Sequence, residues 1–329
     1  MLAENCLYRS TEIPACNTEK DLRGCDSIIC CSICPRVEYC THTCGTVLFE
    51  KEETIEQIIE NLKIIEIELF SFCNRKCSWC PNGSLIDRYS FNDILDENIL
   101  RKLMEELKFY EYSGVFSFSR YNEPFSNYEL FQNRLSIIKN YFPYTKLVTN
   151  SNGDYLTKEI VHNTLIDELS IMDYDCKGEE WCLSRLISWG IEDIIKYENY
   201  WLGKIDKKLI LYYWDWPKSG VISDRGGNLK KFSLEKRTYP CFEPFRFLGV
   251  NYDGSLSPCC NIRNDSKKQK EYIYGTLNNQ SLKDILTSKK VKDFKRKIIT
   301  GDYDMNMPCY YCNNSGGRYS KSAGSILYD

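Results

Sequence analysis

The stretch FCNRKCSWC sets Cys73, Cys77 and Cys80 within eight positions, separated by gaps of three and two residues. Thiols grouped this tightly suit metal binding, but a closed tetrahedral metal site takes four ligands, not three. A cubane [4Fe–4S] cluster has four irons, normally held by four thiolates. Three ligands leave one iron open, much as a catalytic zinc site keeps one position free for water or substrate. An open iron on a reducible cluster can bind and activate a small molecule. A three-thiol zinc site is the plainer alternative.

The rest of the chain favours metal chemistry. Its 329 residues include 18 cysteines but only two histidines, His42 and His162. The start, MLAENCLYRSTEIPAC, has neither a basic nor an apolar leader region, so the thiols are expected to meet a reducing cytosol, where they persist and bind metals. Few histidines leave little for ordinary zinc or haem sites, although zinc held by cysteine alone stays open. The cysteines are clustered. Eight precede residue 45, three form the central group, Cys176 and Cys182 follow, and Cys241, Cys259, Cys260, Cys309 and Cys312 come last. That is the pattern of local metal sites joined by ordinary folded chain. A net charge of −3 gives no phosphate-backbone footprint, and no apolar run is long enough to span a bilayer, so neither nucleic acid nor membrane is expected as a partner.

The elements that must position these residues follow from periodicity. Strands are expected over 63–70, 114–119, 145–153, 168–174, 191–197 and 208–216, and helices over 96–110, 127–142, 157–165 and 178–190, with Asp96 as an N-cap and Gly190 closing the last helix. Six alternating units argue for an α/β fold with a partial parallel (β/α)6 barrel. In such barrels chemistry sits at the C-terminal ends of the strands. The cysteine loop lies there, just after the first strand.

CNRKCSWC resembles the CxxxCxxC signature of the radical S-adenosylmethionine (SAM) superfamily, at the expected place after the first barrel strand. The resemblance implies a cluster held by Cys73, Cys77 and Cys80 whose open iron chelates the amino and carboxylate groups of SAM. Reductive cleavage then yields a 5′-deoxyadenosyl radical that abstracts hydrogen from an unactivated carbon. It also implies cofactor contacts at later strand ends. SRYNEPF (119–125) keeps Glu123-Pro124 of a Gly-Gly-Glu-Pro-like segment that binds the SAM amino group, with Tyr121-Asn122 in place of the glycines. In TNSNG (149–153), Asn150, Ser151 and Asn152 can offer polar groups to ribose hydroxyls. Trp79 occupies the aromatic position beside cluster and adenine. In SDRGGNL (223–229) the glycines permit close backbone approach, and Arg225 could fork onto a carboxylate.

The C-terminal third carries a second group of thiols. FRFLGVNY, a turn at Asp253-Gly254 and SLSPCC read as a hairpin that brings Cys241 and Cys259 together. An amphipathic helix over 281–299 would return the chain to Cys309 and Cys312. Four thiolates closing round one auxiliary [4Fe–4S] cluster leave no open iron, which suits electron transfer or structure. The pattern resembles the twitch domain, a shortened SPASM domain that follows many radical SAM barrels; a four-cysteine zinc ribbon is the alternative. Near the N-terminus, CSICPRVEYCTHTC (Cys31, Cys34, Cys40, Cys44) has the spacing of the second half of a full SPASM domain. It reads as that half folding against the C-terminal region, as a third iron–sulfur cluster held by Cys31, Cys34, Cys40 and one of Cys25, Cys30 or Cys44, or as a zinc knuckle that His42 could join. The expected organisation is therefore a Cys-rich extension (1–58), a radical SAM partial barrel (59–235) and a small hairpin-plus-helix auxiliary-cluster domain (236–329).

The resemblance implies an oxidoreductase or epimerase that needs an electron donor such as flavodoxin or ferredoxin. No peptide-docking helix–wing unit precedes the barrel, which points to a small polyol, sugar or aminocyclitol as substrate; a peptide substrate and a non-catalytic binding module are the alternatives. Epimerisation would require a thiol to return a hydrogen, and Cys176, just past a strand end, is the candidate. Oxidation would instead send the second electron to the auxiliary cluster.

Overall fold

The computed structural model describes residues 53–83, 93–212, 224–229, 236–237 and 241–312. Cys31, Cys34, Cys40 and Cys44, and with them the third metal site, lie outside the described residues.

Ten strands form one open sheet in the order β10-β9-β8-β1-β2-β3-β4-β7-β6-β5. Strands β1 (Ile64–Ile67), β2 (Val115–Ser117), β3 (Leu147–Ser151), β4 (Glu168–Met172) and β7 (Lys208–Tyr212) pair in parallel. β8 (Phe247–Val250) joins them as the parallel neighbour of β1. The six-stranded parallel set thus has a membership that periodicity alone did not give. β5 (Asp193–Lys196), read as one of the alternating parallel units, pairs antiparallel with β6 (Tyr200–Lys204), which runs back antiparallel to β7. The reason is visible in its exposure. β5 is largely solvent-facing, as an edge strand can be, whereas β4 is buried along its whole length, as a central parallel strand must be.

Helices α1 (Ile55–Asn61), α2 (Glu97–Phe109), α3 (Tyr128–Tyr141), α4 (Lys158–Asn163) and α5 (Glu179–Ser188) alternate with these strands. Asp96 caps α2, accepting from Asn98 N at 2.8 Å and Ile99 N at 3.3 Å, and Leu100, Leu103, Met104 and Leu107 form its buried stripe. Alternate strand residues divide the sheet. Ile65, Ile67, Phe116, Leu147, Leu169, Ile171, Leu209 and Leu211 face the helices in one apolar core. The intervening positions, Glu66, Ser117, Asn150 and Ser170 among them, line the other face, with Glu66 in register with Ser117 and Asn150 with Ser170. A polar inner face beneath an apolar shell is what a ligand-holding barrel requires.

The C-terminal hairpin forms as expected, from β8 and β9 (Ser255–Ser257), with β10 (Gly275–Thr276) added at the edge. Gly254 has φ 78° at its turn. Helix α6 (Glu243–Arg246) precedes β8. The single helix read over 281–299 is two, α7 (Leu282–Leu286) and α8 (Lys289–Thr300). Ser288 interrupts the run, because its hydroxyl caps α8 by accepting from Val291 N at 3.3 Å.

Candidate active site and auxiliary thiol site

The cysteine loop leaves β1 and turns twice on its own backbone. Cys80 N donates to Cys77 O at 3.0 Å, and Gly83 N donates to Cys80 O at 2.9 Å. Gly83 is required here, since a Cβ would meet Cys77 O at 2.6 Å. Cys73, Cys77 and Cys80 are half-buried and not joined in disulfides. Burial pushes Cys73 up to about 12 and Cys77 up to about 11, and each thiolate would be opposed by its neighbours. Such a set is inert as free thiols and needs a cationic centre to hold the thiolate forms together. Among the described residues, no three Cys, His, Asp or Glu side chains converge as ligands of one metal ion. In a cubane each thiolate binds a different iron, so the donors stand farther apart. The donor chemistry fits a cluster better than mononuclear zinc.

The later strand ends close round this loop. Glu123 is buried at 2% exposure; it accepts from Ser151 Oγ at 2.7 Å and Phe125 N at 3.3 Å on one oxygen, and from Asn152 N at 2.8 Å on the other. Burial outweighs these donors and pushes its carboxyl up to about 7. Asn152 Nδ2 donates to Asn74 Oδ1 at 2.8 Å, so Ser151 and Asn152 serve the loop and Glu123 together. Asn150 Nδ2 donates to Ser119 Oγ at 3.0 Å, while Asn150 Oδ1 and Ser170 Oγ are buried and lack a protein partner. Orphaned polar atoms on neighbouring strands of the inner face are what a bound polar ligand would satisfy. Trp79 lies beside Tyr174, ring centroids 5.9 Å apart.

Arg225, at φ 52°, sits in a tight turn in which Asp224 accepts from Gly226 N and Gly227 N, each at 3.1 Å. Gly226 presses against the C-terminal region, where a Cβ would meet Gln269 Nε2 at 2.6 Å and Asn261 O at 2.9 Å. Arg225 reaches Asn261 Oδ1 at 3.5 Å, and its charge acts on Tyr121, Tyr174, Cys80 and Cys260. Cys176 stands apart from this set. It lies on the turn after β4 at φ 53°, with its thiol exposed.

Sequence reasoning missed the residues that weld the barrel to the C-terminal region. Arg120, whose side chain is fully buried, donates to Asn251 Oδ1 at 2.9 Å and to Ile262 O, and pairs with Glu66 at 3.4 Å. Tyr121 OH donates to Cys260 O, and Arg263 lies over the Tyr121 ring at 3.9 Å while donating to Asn82 Oδ1 at 2.8 Å. Tyr121, which stands where a glycine was expected, is thus a docking residue. Arg75 was also missed; it forks onto Asp154 and Asp175 at the ends of β3 and β4.

The second thiol group is assembled from distant segments. Cys241, Cys259, Cys309 and Cys312 are brought together, each thiolate felt by the others. Cys312 N donates to Cys309 O at 3.2 Å, and Cys241 N to Ile298 O at 3.4 Å. Burial raises Cys241 to about 11, opposed by the buried Arg237, which also donates to Cys312 O at 3.3 Å. A buried cation and an Asn261 amide 3.7 Å from Cys312 Sγ suit a site that would carry net negative charge.

Residues 241–313 match the SPASM family, an iron–sulfur cluster-binding domain. The chain is similar to the S-adenosyl-L-methionine-dependent 2-deoxy-scyllo-inosamine dehydrogenase of Niallia circulans, 26% identical over 76% of this chain and 92% of that one. The fold resembles that of BtrN in complex with AdoMet and 2-DOIA, at TM-score 0.59 and 23% identity, covering 77% of this chain and 94% of BtrN. These similarities support a radical SAM enzyme with a SPASM-type domain. The parallel strands and the hairpin that opens the SPASM-matching segment share one continuous sheet through the β8–β1 pair. Among the described residues, no helix is long and apolar enough to cross a membrane.

Proposed function

We propose that this enzyme dehydrogenates a small polyhydroxylated ring compound, an aminocyclitol or a close relative, using SAM and two [4Fe–4S] clusters. Cys73, Cys77 and Cys80 would hold the first cluster, and Cys241, Cys259, Cys309 and Cys312 the second. The observation that carries the reading is the pairing of a three-thiol loop with a four-thiol enclosure on one sheet. Filled with a cubane, the first would leave an iron free for SAM, and the second would leave none.

When bound, the first cluster and SAM supply one-electron chemistry that removes hydrogen from carbon; the chain's own residues do the rest. Glu123, held in place by Ser151, Asn152 and Phe125, would accept from the amino group of SAM. Asn150 and Asn152 would face the ribose while Ser151 holds Glu123, and Trp79 would cover the adenine side. Arg225, whose charge acts on Cys80 and Tyr174 and which reaches Asn261, would orient a hydroxyl or carbonyl oxygen. Oxidation rather than epimerisation is supported by two features. Cys176 is exposed, a poor setting for a thiol that must hand hydrogen to an enclosed carbon. A relative spanned for 92% of its length is a dehydrogenase acting on an aminocyclitol. An external one-electron donor, flavodoxin or ferredoxin, would reduce the first cluster. The described cysteines, none of them joined in a disulfide, fit a reducing cytoplasm.

The test is anaerobic incubation of reconstituted, reduced protein with SAM and a panel of aminocyclitols, sugars and peptides. The expected result is 5′-deoxyadenosine release above the uncoupled background with an aminocyclitol, and a product two hydrogens lighter. Coupling only with a peptide, or a product of unchanged mass carrying solvent deuterium, would overturn it.

A further inference from the structure

Arg75 lies inside the cysteine motif, yet its side chain turns to the strand ends. Nε and Nη2 donate to the two oxygens of Asp154 at 2.7 and 2.6 Å, and Nη1 and Nη2 donate to the two oxygens of Asp175 at 3.0 and 3.1 Å. Asn74, beside it, donates to Asp154 at 2.7 Å and accepts from Asn152 at 2.8 Å. Through Arg75 and Asn74 the loop is tied to the segments that follow β3 and β4. The same strand end presents Ser151 and Asn152 to Glu123.

Stability does not explain the arrangement. Asp154 and Asp175 are 35% and 46% exposed, and ion pairs that wet contribute little to folding. Geometry does. A planar guanidinium holding two carboxylates by four bonds fixes three directions at once, which a lysine cannot do. We propose that Arg75 is a positioning residue, resting on the functional reading above. With Asp154 and Asp175 it sets the three-thiol loop at a fixed distance from the SAM-binding ends of β3 and β4, so that the open iron and Glu123 engage one SAM molecule together.

The experiment compares the parent protein with R75Q, R75K and D175N, all cluster-loaded under anaerobic conditions. Iron content is measured first. The change in the reduced cluster's EPR signal is then titrated with SAM, and amide exchange over residues 72–83 is followed without SAM. R75Q is expected to keep its iron, to need roughly 10–100-fold more SAM for half effect, the usual loss for an outer-shell partner, and to exchange faster through the loop. R75K keeps the charge but not the fork and should fall between R75Q and the parent; D175N should show the smallest shift. An unchanged SAM midpoint and unchanged exchange in R75Q would overturn the proposal. Should R75Q lose its iron, R75K and D175N decide, and parental behaviour in both overturns it. A parent that shows no SAM response at all refutes the functional reading instead, and the exchange comparison still judges Arg75.

Discussion

The two thiol sites are built on opposite plans. The first takes all its cysteines from one eight-residue loop, leaves them half-exposed, and steadies them with side chains from β3, β4 and the C-terminal region. The second gathers four cysteines, as half-buried as the first three, across some seventy residues, with a hairpin, α8 and Arg237 packed around them. A loop that stays open at one side can admit a ligand to its metal. A site that draws four thiols from distant segments would leave no iron without a protein ligand, and ties together the fold around it. The difference in construction matches a difference in role, since one site would meet SAM and the other would store or pass an electron.

Removing the open site should have the largest effect. Cys73→Ala, Cys77→Ala or Cys80→Ala leaves two thiolates where three are the minimum, and each variant should form no 5′-deoxyadenosine above background by chromatography of the quenched reaction. Turnover in any of them would assign the open site elsewhere.

The enclosed site should respond differently. The Cys309→Ala/Cys312→Ala double variant should lose about four irons, one cubane, while SAM cleavage survives in part and the oxidised product disappears. Iron and sulfide analysis with product mass spectrometry separates the outcomes. Full product formation at reduced iron would make the site structural only.

The weld between the two regions comes next. Arg120→Ala would leave Glu66 buried beside a cavity and strip donors from Asn251 and Ile262. Removing one partner of a buried ion pair costs about 3–5 kcal/mol, so denaturant unfolding should show a markedly lower midpoint. A midpoint close to the parent's would mean that water replaces Arg120 at this junction.

The contrast between the sites also marks how far the sequence was legible. The open loop was legible because its ligands are local: CxxxCxxC is a complete statement within eight residues. The hairpin was legible through Asp253-Gly254, and with it the approach of Cys259 to Cys241. What stayed hidden was long-range. Nothing local in Arg120 or Tyr121 announces contacts with Ile262 or Cys260 about 140 positions away. Tyr121 was read as a departure from a glycine motif, when its ring and hydroxyl are used against Arg263 and Cys260. β5 was misplaced among the parallel strands because a short apolar pair, Ile194-Ile195, reads alike whether its neighbour is parallel or antiparallel; only the partner β6, which was not foreseen, decides it. Arg75 had a signal that went unused: a cation between two thiol ligands, with an Asp three residues past the end of β3 and another three past the end of β4.

The smallest effect is one of pH, and it tests whether Glu123 belongs to the open site. In the folded protein burial holds its carboxyl up at about 7, against 4.5 in an exposed chain. Between these values the folded state keeps a proton that the unfolded chain has lost, so this group's contribution to stability falls as pH rises through about 7. Ligand binding runs the other way. An amino group donating to Glu123 requires the carboxylate, which Ser151 and Asn152 already favour through their own donated bonds. Below pH 7 binding SAM must therefore expel a proton, and affinity should fall by up to about tenfold per pH unit, levelling off above pH 7. The measurement is the SAM midpoint of the reduced protein's EPR change at pH 6 and pH 8. The parent should bind about tenfold more tightly at pH 8, whereas Glu123→Gln should bind weakly and alike at both. A parent midpoint that ignores pH, or a Glu123→Gln variant that keeps the parental dependence, would remove Glu123 from the SAM contacts and leave it as the residue that shapes the end of β3.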